Sequence, residues 1–188
     1  MNVIDAIRSR RAYRSLDPVT IKPDLIQDLA QCAQLAASCF NNQPWRFVFV
    51  YDPEQLMKMR AALSKGNEWI HRASLIIAVF SQKELDCAMK DGREYYLFDT
   101  GMAVATLILR ATELGFVAHP IAGFKPDAVK EILGIPADVT LITLVNVGQH
   151  AADIKPELSE KQIADEKSRP ERMPLEKFMY HNRYSAAS

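Results

Sequence analysis

The stretch Leu75-Ile76-Ile77-Ala78-Val79-Phe80 decides the fold, because its consecutive apolar residues leave no polar face for water. A strand of this kind must be covered on both faces. Helical spacing of apolar residues predicts one covering helix that begins at Pro23 and a long one over residues 94–114. Gly115 is expected to end the long helix in the left-handed conformation. The order of elements predicts an α+β or mixed α/β fold in one domain.

Shorter elements complete this outline. Strands are predicted at residues 45–51, 117–121 and 140–148, and Asp52 followed by Pro53 begins a further helix. From residue 150 the chain is highly charged and interrupted by prolines, so it cannot build a core of its own. Apolar residues nevertheless lie near its end, and a neighbouring subunit is their natural docking place. These residues are Leu175, Phe178, Met179 and Tyr180.

Composition excludes several classes of protein. The 188 residues are 48% hydrophobic and 24% charged, with 23 basic and 23 acidic residues. This balance is typical of a globular domain with no net field to attract nucleic acid or a membrane surface. The three cysteines lack a CxxC spacing and are expected to be free thiols in a reducing compartment. The start becomes charged too early for a signal peptide, so a cytoplasmic protein is predicted.

Arg10, Arg11 and Arg14 form the first candidate site. Guanidinium groups this close repel one another unless an anion or carboxylates neutralise them. A phosphate group suits them, because guanidinium forks pair bidentately with its oxygens. The alternative is a solvated basic turn. Nucleic acid is not expected, since the chain offers no further basic surface or stacking motif.

Two further stretches could face a flat ligand. The loop Asn41-Asn42-Gln43-Pro44-Trp45 presents uncharged donors and acceptors that suit the edge of a heterocycle, although a simple turn before a strand is the alternative. At the end of a predicted strand, Gly123 allows a ligand to approach the backbone, where an N–H could bond a ring nitrogen. A plain strand-to-helix turn explains that segment equally well.

The sequence lacks the motifs that several other chemistries require. The four histidines show no metal-binding spacing, so no metal site is predicted. Serine-hydrolase, P-loop and Rossmann motifs are absent from the sequence. Cys39 could serve as a nucleophile, but no base is placed beside it by the sequence.

Together these stretches resemble the nitroreductase family of FMN-dependent oxidoreductases, over nearly the whole chain. Residues 10–14 (RRAYR) are similar to its Arg-Arg-Ser-x-Arg motif, and residues 37–45 (ASCFNNQPW) to its Pro-Ser-x-x-Asn-x-Gln-Pro-Trp motif. Residues 99–103 (DTGMA) resemble the central helix, 120–124 (PIAGF) the strand end over the flavin, and 172–176 (RMPLE) the C-terminal motif.

The resemblance implies a role for each matching residue. Arg10 and Arg172 would hold the FMN phosphate, Arg11 would lie near the ribityl chain, and Arg14 would reach the pyrimidine edge, where a cation stabilises reduced flavin. Backbone N–H groups at Ala122 or Gly123 would face flavin N5. The partner subunit would contribute Ser38, Cys39 and Asn41, with Gln43 nearby. The complete set of implied cofactor contacts is Arg10, Arg11, Ala12, Arg14, Ser38, Cys39, Asn41, Gln43, Asn67, Pro120, Ile121, Ala122, Gly123, Arg169 and Arg172.

The resemblance also implies a fold and a reaction. The fold would be α+β, with a central, mostly antiparallel sheet flanked by helices, in an intertwined homodimer. Residues from about 150 to 188 would form an arm around the partner. Hydride would pass from NAD(P)H through flavin N5 to a nitroaromatic, quinone or similar small-molecule oxidant in a ping-pong reaction, and no side chain is predicted to be catalytic.

Departures from the family pattern leave alternatives open. Ala12 replaces the motif's Ser, Ala37 its Pro, and Ala122 stands where one subgroup carries an acidic residue. The same fold could instead serve flavin fragmentation, dehalogenation or ring oxidation, although the interval 81–94 is short for a large lid. A non-enzymatic module that binds a phosphorylated ligand through its arginines is the alternative of a different class.

Overall fold

A computed structural model of the protein describes residues 1–184 and provides eleven principal elements. The helices are α1 (Val3–Ser9), α2 (Pro23–Gln34), α3 (Pro53–Arg60), α4 (Tyr95–Glu113), α5 (Pro126–Leu133) and α6 (Glu160–Lys167). The strands are β1 (Leu16–Asp17), β2 (Arg46–Val50), β3 (Leu75–Ser81), β4 (Phe116–Ile121) and β5 (Thr140–His150). Short 3-10 turns lie at Cys39–Asn41, Glu68–Arg72, Lys83–Leu85 and Leu175–Lys177.

The five strands form one sheet in which every paired neighbour is antiparallel. β5 is the central strand: it pairs with β3 along most of its length, with β4 on its other side and with β1 near its end. β2 forms the edge beyond β3. With helices packed against this sheet, the predicted α+β class is confirmed.

β3 divides the core, as its sequence predicts. Ile76 and Ala78 pack on one side, in a cluster with Trp69 and Val129. Leu75, Ile77 and Val79 pack on the other side, against buried residues of α2 and α4. Since both faces are buried, an apolar residue is required at each position, which explains the lack of alternation.

The sequence signals at helix ends are also confirmed. The Asp52 side chain accepts a hydrogen bond from the backbone N–H of Gln55 at 3.0 Å. Gly115 has a φ of +84°, and Gly134 closes α5 with a φ of +65°. Two elements were not predicted: β1, which is only two residues long, and α6, where Ser159 and Gln162 form a capping box.

The C-terminal stretch divides into two parts. Leu158 and Glu166 are buried against the body of their own chain, whereas residues 170–184 are exposed. The last four residues of the predicted arm, 185–188, lie outside the described residues. Across residues 1–184, none of the helices is both long enough and apolar enough to cross a lipid bilayer.

Candidate functional site

Five arginines meet where α1 ends and the C-terminal stretch returns. We call Arg10, Arg11, Arg14, Arg169 and Arg172 the arginine cluster; together with Ala12, Asp165 and Pro170 they line a cavity of about 140 Å³. The guanidinium of Arg169 donates to the carbonyls of Arg8 at 2.6 Å and Arg10 at 3.0 Å. These carbonyls lie at the C-terminal end of α1, where the helix dipole favours a cation.

Positive charge in the arginine cluster is only partly neutralised. Burial lowers the pKa of Arg10, and the nearby guanidiniums of Arg169 and Arg172 lower it further. Within residues 1–184, these three side chains form no ion pair with a carboxylate. Three cations without an acidic partner favour the binding of an anion over the solvated basic turn.

Arg11 and Arg14 are engaged differently. The guanidinium of Arg11 donates to the carbonyls of Asp165 at 2.5 Å and Glu166 at 3.1 Å, and it lies 4.4 Å from the centre of the Tyr13 ring. Arg14 forms an ion pair with Asp165 at 3.5 Å. Both arginines line the cavity, but part of their donor capacity holds α6 in place.

Buried groups beneath the arginine cluster fix its backbone. The Glu166 carboxylate accepts the Arg14 N–H at 2.5 Å, and Nδ1 of His119 lies 3.1 Å from the Tyr13 carbonyl. The His119 ring stacks on Trp69, with 4.7 Å between ring centres. Burial lowers the pKa of His119 to about 4, so the ring is neutral at pH 7. The sequence analysis missed Glu166, and its only signal was the capping pattern that begins α6.

The end of β4 lies against Asn67. The Asn67 amide donates to the Gly123 carbonyl at 2.8 Å, and its oxygen lies 3.3 Å from the indole nitrogen of Trp69. A side chain at position 123 would collide with the Asn67 amide, which explains the glycine. Ala122 and Pro120 are exposed and Ile121 is half-buried, and the N–H groups of residues 122 and 123 have no acceptor within residues 1–184.

Ser38 to Pro44 form the amide loop, and its conformation is unusual. Phe40, Asn41 and Gln43 all have positive φ, at 47°, 60° and 50°. The Ser38 hydroxyl accepts the Gln43 N–H at 3.0 Å, and the Gln43 amide donates to the Asn41 carbonyl at 3.1 Å. The loop is therefore a specific structure rather than a simple turn, and it leaves the Asn41 side chain exposed.

One prediction about the amide loop is wrong. Cys39 is bonded to Cys87 in a disulfide, so only Cys32 is a free thiol. This pairing also removes Cys39 as a candidate nucleophile. The sequence could not reveal the pair, because 48 positions separate the two cysteines and the fold alone brings their Cα atoms to 6.3 Å.

The predicted site residues thus form two separate groups in the structure. Hydrogen bonds link the arginine cluster to β4 through Tyr13 and His119, and the β4 end to Asn67. The amide loop is attached elsewhere: the Cys39 N–H donates to Asp99 in α4 at 2.7 Å, and the Ser81 hydroxyl donates to the Pro44 carbonyl at 2.8 Å. No hydrogen bond or ion pair joins the amide loop to the arginine cluster within the described chain.

Comparison with known proteins gives this arrangement a class. The family model described as the Nitroreductase family matches residues 7–68 and 61–149. A protein of Archaeoglobus fulgidus, whose assigned name combines NADH dehydrogenase and NAD(P)H nitroreductase, is 29% identical over 176 residues, covering 92% of this chain and 96% of that protein. An iodotyrosine deiodinase of Haliscomenobacter hydrossis is 28% identical over 184 residues, with 82% of each chain covered.

A solved structure agrees with this class. An oxidoreductase described as containing FMN superposes with a TM-score of 0.84 at 26% identity, covering 97% of this chain and 92% of that chain. An antiparallel sheet flanked by helices is the fold that this chain shares with that oxidoreductase. The chain belongs to the nitroreductase family.

Proposed function

We propose that this protein is an FMN-dependent oxidoreductase that takes hydride from NAD(P)H and delivers it to a nitroaromatic, quinone or similar small-molecule acceptor. The observation that carries the proposal is the set of Arg10, Arg169 and Arg172, which have no acidic partner within residues 1–184 and whose cluster is joined to β4 through Tyr13 and His119. A phosphate at one end and a flat ring at the other would satisfy both features.

The described residues fit FMN at both ends. The arginine cluster offers guanidinium donors to a phosphate dianion, and the unpaired N–H groups at Ala122 and Gly123 suit a ring nitrogen. Gly123 has no side chain, so its backbone packs directly against Asn67 at the strand end. When bound, FMN supplies a ring that accepts hydride from the nicotinamide and passes it to the second substrate.

The protein's own residues would mainly position FMN and stabilise its reduced form. Arg10 and Arg172 would bind the phosphate, while Arg14 would place positive charge near the ring and favour its reduced, anionic form. Neutral His119, bonded to the Tyr13 carbonyl, would hold residues 10–14 in register with β4. Hydride transfer needs no protein acid or base, so no side chain is assigned a catalytic role.

We also propose that two copies complete the site. Within residues 1–184, no hydrogen bond or ion pair joins the amide loop to the arginine cluster of the same chain, so its exposed amides would face the cofactor bound to a partner. Large apolar side chains are exposed just after α2, on the amide loop and in residues 170–184. They include Leu35 at 84%, Phe40 at 93% and Leu175 at 59% exposure. The arm that reaches the partner would begin near residue 170, because residues before it pack on their own chain.

The proposal is tested first by the visible absorption spectrum of the purified protein. We expect a flavin spectrum whose chromophore is released by heat and migrates as FMN. Anaerobic NADH or NADPH should then bleach it, and a quinone should restore it. A colourless protein that takes up no added FMN would contradict the proposal and favour the phospholigand-binding module.

Reductive dehalogenation is a second candidate, favoured by the similarity to the iodotyrosine deiodinase. The two reactions are separated by the acceptor. With reduced protein, we expect faster reoxidation by a quinone or nitroaromatic than by monoiodotyrosine. Release of iodide at a comparable rate would reverse that order.

A further inference from the structure

The amide loop is tied to residues 82–94, which we call the connector segment and which join β3 to α4. The Cys39–Cys87 disulfide is the covalent tie. The Asn42 amide reinforces it, donating to the Asp86 carboxylate at 3.2 Å and contacting the Cys87 sulfur at 3.5 Å. All three of these contacts are therefore made by residues of the amide loop.

Little else holds the connector segment. Its backbone hydrogen bonds are local, from Leu85 to Gln82 and from Gly92 to Met89, and the Arg93 side chain bonds Asp91. Apart from the 3-10 turn Lys83–Leu85 it has no helix or strand. Segments with few long-range hydrogen bonds open at low free-energy cost. Its position therefore depends strongly on the disulfide.

The amide loop depends on the same tie. Phe40, Asn41 and Gln43 hold left-handed backbone conformations, which residues with a Cβ rarely adopt unless the surroundings impose them. Two anchors hold Cys39 at the start of this strained stretch: its N–H is bound to Asp99, and its sulfur is in the disulfide. Removing the covalent anchor would allow the loop to populate other conformations.

Two carboxyl groups lie near the disulfide: Asp86 is within 4.8 Å of both sulfurs, and Asp99 accepts the Cys39 N–H. Asp99 is fully buried, one of its oxygens lacks a partner, and the facing Asp86 carboxylate also has an unpartnered buried oxygen. Burial raises the pKa of Asp99, and the neighbouring Asp86 carboxylate raises it further.

We propose that Cys39–Cys87 is a thiol-reactive site whose reduction releases the connector segment and weakens the grip of the amide loop on FMN. This inference rests on the proposed function, in which that loop contacts FMN. Both sulfurs belong to half-buried residues. Where a compartment is reducing, disulfides are mostly transient and redox-sensing rather than structural.

The reaction is ordinary thiol–disulfide exchange. The thiolate of a small-molecule thiol attacks one cysteine sulfur, the S–S bond breaks, and a mixed disulfide forms. A second thiol attacks the mixed disulfide and releases the small-molecule disulfide. Two thiols thus supply two electrons, and their two protons end on Cys39 and Cys87.

The test compares FMN binding in four forms of the full chain: oxidised wild type, wild type reduced with dithiothreitol and desalted anaerobically, Cys87→Ser, and Cys32→Ser. Cys87→Ser opens the tie without altering the amide loop, and Cys32→Ser is the matched control because Cys32 is unpaired. Thiol titration under denaturing conditions should find one thiol in the oxidised chain and three in the reduced chain. All samples contain EDTA, since the sulfurs and the Asp86 carboxylate lie within 4.8 Å of one another and the opened pair could trap a metal ion.

Reduced wild type and Cys87→Ser should show an FMN dissociation constant about tenfold higher than the oxidised protein, as expected when about a tenth of the molecules have a competent loop. Cys32→Ser should match oxidised wild type. Independently of FMN, hydrogen exchange in residues 82–94 should accelerate in the two open forms only. Because reduced wild type carries no substitution, misfolding of Cys87→Ser would not remove the comparison.

Two outcomes would overturn the proposal in distinguishable ways. Equal dissociation constants in all four forms, with unchanged exchange in residues 82–94, would reject the switch and leave the proposed function intact. Failure of oxidised wild type itself to bind FMN would reject the proposed function and the switch with it.

Discussion

The arginine cluster and the amide loop are both short polar stretches, but the fold holds them by different means. The arginine cluster lies on a rigid support, where buried His119 and Glu166 bond its backbone and β4 pairs fully with β5. The amide loop stands at the margin of the sheet and needs a disulfide and a buried carboxylate to keep its left-handed residues in place. Unpaired positive charge distinguishes the arginine cluster, and backbone strain distinguishes the amide loop. We therefore expect the arginine cluster to set the affinity for an anionic ligand, and any regulation of that binding to act through the amide loop.

The largest effect is expected when two arginines are removed together. Arg10→Ala combined with Arg172→Ala should weaken FMN binding by about 3 kcal/mol or more, because hydrogen bonds to charged groups contribute about 1.5–3 kcal/mol each. That corresponds to at least a hundredfold rise in the dissociation constant, measured by flavin fluorescence. The melting temperature without FMN should not fall, since the change relieves repulsion in the cluster.

The matched control for this prediction is Arg60→Ala. Arg60 bonds only the His71 carbonyl at 3.1 Å, outside the arginine cluster, so its loss should leave FMN affinity unchanged. If the double variant kept FMN as tightly as wild type, the phosphate site would have to lie elsewhere.

A second prediction concerns the support of the arginine cluster at low pH. The pKa of His119 is about 4 in the folded protein, below its value of 6.5 in the unfolded chain. The unfolded state therefore binds a proton first, and stability should fall as the pH drops from about 6.5 to about 4. The loss should approach about 3 kcal/mol, at about 1.4 kcal/mol per pKa unit.

Urea unfolding at several pH values measures this loss, and His119→Phe tests its origin. The variant keeps an aromatic ring against Trp69 but cannot be protonated, so its stability should depend less on pH over this range. The exposed His181 offers a control, because His181→Phe should retain the wild-type dependence. An identical pH dependence in His119→Phe would assign the effect to other groups.

A smaller effect is expected at the strand end. In Gly123→Ala the new methyl group would meet the Asn67 amide, so that side chain would have to move and give up its bond to the Gly123 carbonyl. Overpacking of this kind costs about 1–3 kcal/mol of folding stability. Denaturant unfolding should show the loss, and the flavin absorption band should shift as the ring environment changes. Asn67→Ala in the Gly123→Ala background should recover part of the stability.

The smallest effect is expected in the amide loop of the oxidised protein, where the Cys39–Cys87 disulfide is intact. Ser81→Ala removes the buried hydrogen bond to the Pro44 carbonyl and should cost about 1 kcal/mol of stability. FMN affinity should change little in the oxidised protein, because Cys39 remains bonded. Measured in the reduced protein, the same substitution should weaken FMN further. Equal effects in both redox states would mean that the loop does not rely on the disulfide.

Much of the fold was predictable because local and tertiary preferences agree. Residues 75–79 are apolar and fully buried between the two layers, and Asp52 and Gly115 sit at the helix ends that their chemistry favours. Where local preference is weak, the prediction was incomplete. β1 is too short to show a period, and α6 is so polar that only its capping box identifies it.

The candidate site shows the same division. The sequence by itself determined which residue types are available, including the arginines at residues 10–14 and the amides at 41–43, because these are properties of neighbouring positions. Only the tertiary structure decided how they are used. It engaged Arg11 with α6, buried Glu166 beneath Arg14, and joined Cys39 to Cys87 across 48 positions. Such pairings depend on distances between segments remote in sequence, which packing of the whole chain sets and no local pattern encodes.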